Sequence, residues 1–356
     1  MPVARWSCRR PPAQTTTEAA PVIALDANGA DAGPATVAEG GRLSGVEVLL
    51  FGPASELDGA HVVDAPGTIR GDEEPVRAVR RKPDASIVQA ARAVGEGRAD
   101  ALVSAGSTGP TLAAATISVK RIRGVHRPAL AALIPVPGGP VLLLDAGASV
   151  EVRPERLVQF AHMGAAFMES VMGFVRPTVG LLSVGAEAGK GTPEVIEAHA
   201  RLAGGPLNFV GNLEGFDLPA AAAAVVVTDG FTGNVALKVM EGASRTVREA
   251  IRDAVRSGPV AGLGGLLIRG AVGRVREQFD PERIGGAILL GLRKPVVLAH
   301  GSFGPPGIAS AVRLARRAAD EDMVGRTAAA LEAAGALRSA PVGSVAGMTP
   351  DPHEAG

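Results

Sequence analysis

Cysteine is almost missing from this chain: Cys8 is alone among 356 residues, which excludes an intramolecular disulfide and any metal site built from several thiolates, and suits a reducing cytoplasm. Net charge is missing too. With 36 basic side chains against 36 acidic ones, the molecule has no overall pull on nucleic acid, which is not an expected partner, and any attraction for an anion must come from local patches. No apolar run approaches the roughly 20 residues needed to span a bilayer. Ala220–Val227 is among the longest, and it leads straight into a turn. Neither G-x-G-x-x-G in a strand context nor G-x-x-x-x-G-K-[ST] occurs, and GKGT at Gly189–Thr192 lacks the upstream spacing of a Walker loop. There is no G-x-S-x-G elbow, and with Cys8 in the leader a covalent acyl-enzyme has no obvious nucleophile. His61, His126, His162 and His199 show no metal-ligand spacing, so neither a metal nor a cofactor is expected.

What the chain does have is a recurring unit. Six apolar runs end in tight turns that set Asp, Ser or His beside Gly: VIALDANGAD, ALVSAGSTG, VLLLDAGAS, VGLLSVGAEAGKG, VVVTDGFTGN and VVLAHGS. Short apolar runs bounded by Gly and separated by helical periodicity predict strands buried on both faces of a largely parallel sheet, an α/β fold whose strand ends gather these turns into one crevice. Helices are expected after a cap at Asp84 or Ser86, from Pro154 with Leu157, Phe160 and Phe167 on one stripe, and after Asn234 with Val235, Val239, Ala243 and Val247 inward. A last helix, Ile308–Leu337, is expected to break at Gly325. Residues 1–20 read as a disordered extension or as a misassigned start, 21–338 as one lobed α/β unit with an apolar tip near 258–274, and 339–356 as a disordered tail.

The turns carry the candidate chemistry. Ser104, Gly106, Ser107, Thr108 and Gly109 place small hydroxyls among glycines at a strand-to-helix junction, which suits either a phosphate on open N–H groups or a plain helix entry. The chain has only five lysines, and Lys190 sits between Gly189 and Gly191, where a mobile ammonium reaches a phosphate or an oxyanion. Lys238, one helical turn after Asn234, faces the same crevice or forms a surface ion pair. Asp26, Asp31, Asp145 and Asp229 follow apolar runs, and His300 is the one histidine at a strand end, open to a proton-shuttling or a structural role. In 260–274, Leu263, Leu266, Leu267 and Ile268 lie beside Arg269 and Arg274, which fits a helix on anionic lipid or a dimer contact. Arg77, Arg80, Arg81 and Lys82 form a basic cluster that meets an acidic carrier protein or only water.

IALDANGADAGP, AVRRKPDAS, ADALVSAGSTG, LLDAGAS, VGLLSVGAEAGKG, NFVGNLEGFDL, VVVTDGFTGNVALKVMEG and the late GGAILLG with AHGS stand in an order that resembles the acyl-carrier-protein:phosphate acyltransferases of bacterial phospholipid synthesis, over Val22 to about Ala319. The resemblance implies a three-layer α/β sandwich like that of isocitrate/isopropylmalate dehydrogenases. It also implies transfer of a long-chain acyl group from acyl carrier protein to inorganic phosphate, with no cofactor. The expected protein is a cytoplasmic homodimer, peripheral at the inner face of the cell membrane, in contact with the glycerol-3-phosphate acyltransferase. By residue, it points to Lys190, His300, Asn212, Asp229 and Asn234 for catalysis. Asp26, Gly29, Asp31, the Ser104–Gly109 turn, Asp145, Gly147, Gly230 and Thr232 would bind substrate, and Glu214 also falls on the pattern. Asn28, Ala30, Ser107, Pro110, Ser183, Ala186 and Phe303 depart from it. A non-catalytic relative, a transferase using small acyl-CoA and a dehydrogenase of the same architecture are the alternatives.

Overall fold

A computed structural model describes residues 21–57, 61–137 and 139–338; the extension and tail expected at the two ends lie outside these. In chain order the elements are β1 (Ile23–Asp26), α1 (Pro34–Ser44), β2 (Val48–Gly52), β3 (Val62–Asp64), α2 (Pro75–Arg81), α3 (Ser86–Gly95), β4 (Ala101–Ser104) and α4 (Thr108–Ser118). Then come β5 (Ala129–Ile134), β6 (Val141–Leu144), α5 (Pro154–Ser170), β7 (Thr178–Leu182), α6 (Pro193–Ala203), β8 (Asn208–Leu213) and β9 (Val225–Val227). The chain continues with α7 (Gly230–Arg256), α8 (Pro259–Gln278), β10 (Ala287–Leu290), β11 (Val296–Leu298), α9 (Pro305–Asp320) and α10 (Met323–Ala333).

All eleven strands join one sheet in the order β3-β2-β1-β4-β11-β10-β5-β6-β9-β7-β8. Seven of the ten pairings are parallel, as the apolar runs predict. The three antiparallel ones, β11 with β10, β10 with β5 and β5 with β6, are consecutive and reverse the sheet's direction. Hence β1, β4 and β11 finish at one end of the sheet, the upper end, while β6, β9, β7 and β8 finish at the other, the lower end. The expected single row of turns is therefore two rows. Apolar runs report burial, and burial is blind to strand direction.

Directly opposite residues share a face, so Ala132 and Leu143, paired between β5 and β6, mark the front. Helices α2, α3 and α4 cover the front over β1, β2 and β4, and α7 meets it at Val141 and Leu143 through Leu237 and Met240. Helices α1, α5, α6, α9 and α10 cover the back. Helix α5 buries Leu157, Phe160 and Phe167 as its stripe predicts, and it lies so close that a Cβ on Gly164 would stand 2.6 Å from Val225 Cγ1. Only a glycine permits that approach.

Three helix expectations change. Ser86 begins α3 but does not cap it, because its hydroxyl turns to Asp26. The break in the last helix falls at Asp322, whose left-handed backbone restarts the chain and whose carboxylate caps α10 at the N–H of Gly325. In α7, Val235, Val239, Ala243 and Val247 are exposed, and Leu237 and Met240 face the sheet. Past its first turns α7 leaves the body and pairs with α8 as an arm, so among the described residues that stripe is exposed.

Candidate active site

At the upper end, Asp26 closes β1 and is 1% exposed. Its Oδ1 accepts from Ser86 Oγ at 2.6 Å and its Oδ2 from Ser104 Oγ at 2.7 Å. Burial pushes its carboxyl above the usual range, and these hydroxyls, with the N–H of Asn28, pull the other way. Ser104 Oγ in turn accepts the N–H of Gly106 at 3.1 Å, while Thr111 Oγ1 donates to the carbonyl of Ser107 at 3.0 Å. The turns after β1 and β4 press together: a Cβ on Gly29 would lie 3.0 Å from Gly106 Cα. Ser107 stands at the N-cap of α4 without a side-chain cap bond, Thr108 is exposed, and Pro110 has no N–H to offer. The N–H groups of Ser107, Thr108 and Gly109 have no partner among the described residues.

His300 follows β11 at the same end. Its Nδ1 accepts the backbone N–H of Ser302 at 3.2 Å and lies 2.8 Å from Ser302 Oγ. A backbone N–H only donates, so the neutral ring carries its proton on Nε2. The Asp31 carboxylate is beside the next residue, 2.7 Å from where a Cβ on Gly301 would stand. Phe303 is buried in the core with its ring 5.9 Å from that of His300, which gives the departure there a packing role. Asn28 also finds structural work, donating to the carbonyl of Pro66 at 2.9 Å. Helix α2 adjoins this end, since a Cβ on Gly109 would lie 3.0 Å from Pro75. Arg77, Arg80 and Arg81 are exposed on it and unpaired among the described residues, whereas Lys82 pairs with Glu73 at 2.8 Å.

The lower end is built differently. Asp145 Oδ1 accepts three backbone N–H groups, of Leu130, Gly147 and Ala148, at 2.9 to 3.1 Å. Its Oδ2 is buried without a hydrogen bond, and burial raises this carboxyl as well, against the pull of those N–H groups. A Cβ on Gly233 would stand 1.9 Å from the Asp145 carbonyl oxygen, so α7 enters against this turn only as glycine. Asp229 caps α7 by accepting from Thr232 N at 2.9 Å, Gly230 N donates to Ser149 O at 2.8 Å, and the exposed Asn234 borders Gly147.

Lys190 is exposed at this same end, and its ammonium has no partner among the described residues. Asn212 Nδ2 donates to the carbonyls of Glu187 at 2.8 Å and Lys190 at 3.3 Å, and Oδ1 meets His199 Nδ1 at 3.0 Å. Both its N–H groups are therefore spent on the Lys190 loop, and none is left for an oxyanion. Ser183 Oγ bonds the Lys190 carbonyl too, at 3.0 Å. Glu214 joins Asp217 in capping a single short turn, and Lys238 pairs with Glu241 at 2.8 Å. Ser86, Thr111, His199 and Ser302 are the contributors that sequence reasoning missed. Each acts on another side chain or turn, and no spacing signals that.

Two further surfaces complete the picture. A cavity of about 400 Å³ opens where β5 ends, lined by Pro135, Val136, Pro140, Arg283 and Ile284 among others. The Pro281–Arg283 turn beside it also bonds the His300 loop, through Glu282 Oε1 and the N–H of Gly304 at 3.2 Å. On the arm, Leu263, Leu266, Leu267 and Ile268 are 51% to 79% exposed. Among the described residues no helix is long and apolar enough to cross a membrane, and no cluster of three His, Cys, Asp or Glu is arranged to hold a metal.

Residues 22–326 match the fatty acid synthesis protein family. A phosphate acyltransferase of Elusimicrobium minutum is 42% identical over 318 residues, spanning 85% of this chain and 93% of that protein. One of Thermobifida fusca is 43% identical over 328 residues, 87% of this chain and 89% of its own. Among solved structures, a phosphotransacetylase from Streptococcus pyogenes superposes with a TM-score of 0.56 at 18% identity, covering 84% of this chain and 94% of its own. At that identity the likeness is one of fold.

Proposed function

Because the chain belongs to the fatty acid synthesis protein family, together with phosphate acyltransferases, we propose that it transfers a fatty acyl group from acyl carrier protein to inorganic phosphate, supplying acyl phosphate for glycerophospholipid synthesis. The observation that carries the site assignment is the turn after β4: three successive open N–H groups, of Ser107, Thr108 and Gly109, at the start of a helix, with hydroxyls at Ser107 and Thr108. Phosphate seats there. It is already anionic near pH 7, and a thiol of pKa about 8.5 is a fair leaving group, so positioning and charge stabilisation dominate the catalysis.

A phosphate oxygen adds to the thioester carbonyl, the carbon–sulfur bond breaks, and the thiolate leaves. Hydrogen phosphate loses the one proton that the thiolate gains, so a single relay balances the step. That relay runs from the phosphate oxygen to the thiolate through solvent, and His300 at the same end of the sheet, its Nδ1 held by Ser302, donates its Nε2 hydrogen to the charge that builds on the reacting oxygens. The lower end, with Lys190, Asn234 and the capped start of α7, grips the donor. Asn212 and Asp145 hold its loops in place and do not touch the reacting atoms.

The acyl chain enters the cavity between Val136 and Ile284. The basic face of α2 receives the acidic carrier, and the arm rests on the cytoplasmic surface of the membrane or on a second copy of the chain. The deciding assay follows release of free carrier thiol from long-chain acyl carrier protein, trapping acyl phosphate with hydroxylamine, with acyl-CoA in parallel. Release that requires phosphate is expected. A folded protein that releases nothing from either donor would sink the proposal. Vesicle flotation tests the arm: Leu266→Asp with Leu267→Asp is expected to abolish binding to anionic vesicles, and unchanged flotation removes the lipid role.

A further inference from the structure

Resting on the phosphate site just proposed, we propose that Asp26 is its positioning residue: a carboxylate that never meets substrate but sets how tightly the Ser104–Gly109 turn holds phosphate. Asp26 is sealed at 1% exposure beneath that turn, so direct contact with an anion is closed to it. Its reach is through hydrogens. Ser104 has one hydroxyl hydrogen and donates it to Asp26 Oδ2 at 2.7 Å, which turns a Ser104 lone pair toward the N–H of Gly106 at 3.1 Å. The Gly106 N–H is thereby committed, and the next three N–H groups are the ones left open. Thr111 fixes the other side of the loop by bonding the Ser107 carbonyl. A turn whose amides are oriented before the ligand arrives spends less binding energy on ordering.

The second oxygen provides a control inside the same network. Asp26 Oδ1 accepts from Ser86 Oγ at 2.6 Å, and Ser86 belongs to α3, whose first N–H bonds the Gly67 carbonyl, away from the phosphate turn. Losing either hydroxyl removes a similar buried bond. Only the Ser104 bond leads to the turn.

The test uses the full chain, inorganic phosphate as the varied substrate and long-chain acyl carrier protein as donor. Asp26→Asn is expected to raise KM for phosphate by about 10- to 100-fold while leaving KM for the donor within about twofold, a split that general structural damage does not produce. Ser104→Ala is expected to match it, and the double variant to be no worse than either single one, since both cut one path. Ser86→Ala is expected to lower Tm yet leave KM for phosphate unchanged. If Asp26→Asn does not fold, Ser104→Ala against Ser86→Ala carries the same comparison. A folded Asp26→Asn with unaltered KM for phosphate, or an equal rise from Ser86→Ala, overturns the inference while the acyltransferase reading stands. A wild-type protein without phosphate-dependent release overturns both.

Discussion

Asp26 and Asp145 look alike in sequence, each an aspartate closing an apolar run before a Gly-containing turn, yet they hold different things. At the upper end Asp26 spends both oxygens on serine hydroxyls, and what it orients is a set of side chains beneath a turn with open amides. Asp145 at the lower end spends one oxygen on three backbone N–H groups and leaves the other bare, so it shapes the main chain itself. A strand-end aspartate is thus a scaffold at both ends. The groups proposed to do the chemistry are its neighbours: amides and His300 at one end, Lys190 and Asn234 at the other.

The largest expected effect separates the two ends by rate. His300→Ala should lower kcat by about 100-fold or more at saturating phosphate and donor, the usual scale for a lost hydrogen-bond donor to transition-state charge and close to 3 kcal/mol. Lys190→Ala should instead raise KM for acyl carrier protein about tenfold and leave KM for phosphate alone; a phosphate effect would move the lysine to the upper end. Steady-state kinetics with each substrate varied in turn reads both.

The smallest effect concerns pH. Both carboxyls have folded values above the ordinary 3.8, so between 3.8 and those raised values the folded state binds more protons than the unfolded one. Stability contributed by the neutral forms is full below 3.8 and is lost as pH rises through the raised values. Asp145→Asn should flatten that fall in a denaturant series from about pH 4 upward, because it leaves no charge to bury. An unchanged slope would show that Asp145 ionises as readily folded as unfolded.

Much of this was legible in the sequence. Six of the strands, β1, β4, β6, β7, β9 and β11, the largely parallel sheet and the helix over Leu157, Phe160 and Phe167 follow from the apolar runs and their periodicity, which report burial directly. The Ser104–Gly109 turn was legible as a strand-to-helix junction of small hydroxyls and glycines, a pattern that suits a bound phosphate and a plain helix entry alike. Strand direction was not, since β5, β6 and β10 read as apolar whichever way they run. Nor was the exposure of Val235 and Val239, because a stripe marks a helix face without saying what lies beneath. The second layer was silent for a plainer reason: Ser86 lies 60 residues from Asp26 and Ser104 lies 78, and no local pattern joins them.

The reversal at the centre of the sheet bears on how the chain assembles. Strands β10 and β11, from residues 287–298, are the two that stand between β4 and β5. A growing chain that has emerged only through α8 therefore holds two separate sheets, β3-β2-β1-β4 and β5-β6-β9-β7-β8, with the edges of β4 and β5 unpaired. Those edges are apolar and ready to pair with any other chain. The sheet becomes continuous only when its last strands arrive as a wedge between the halves, so the edges of β4 and β5 are among the last to find their partners.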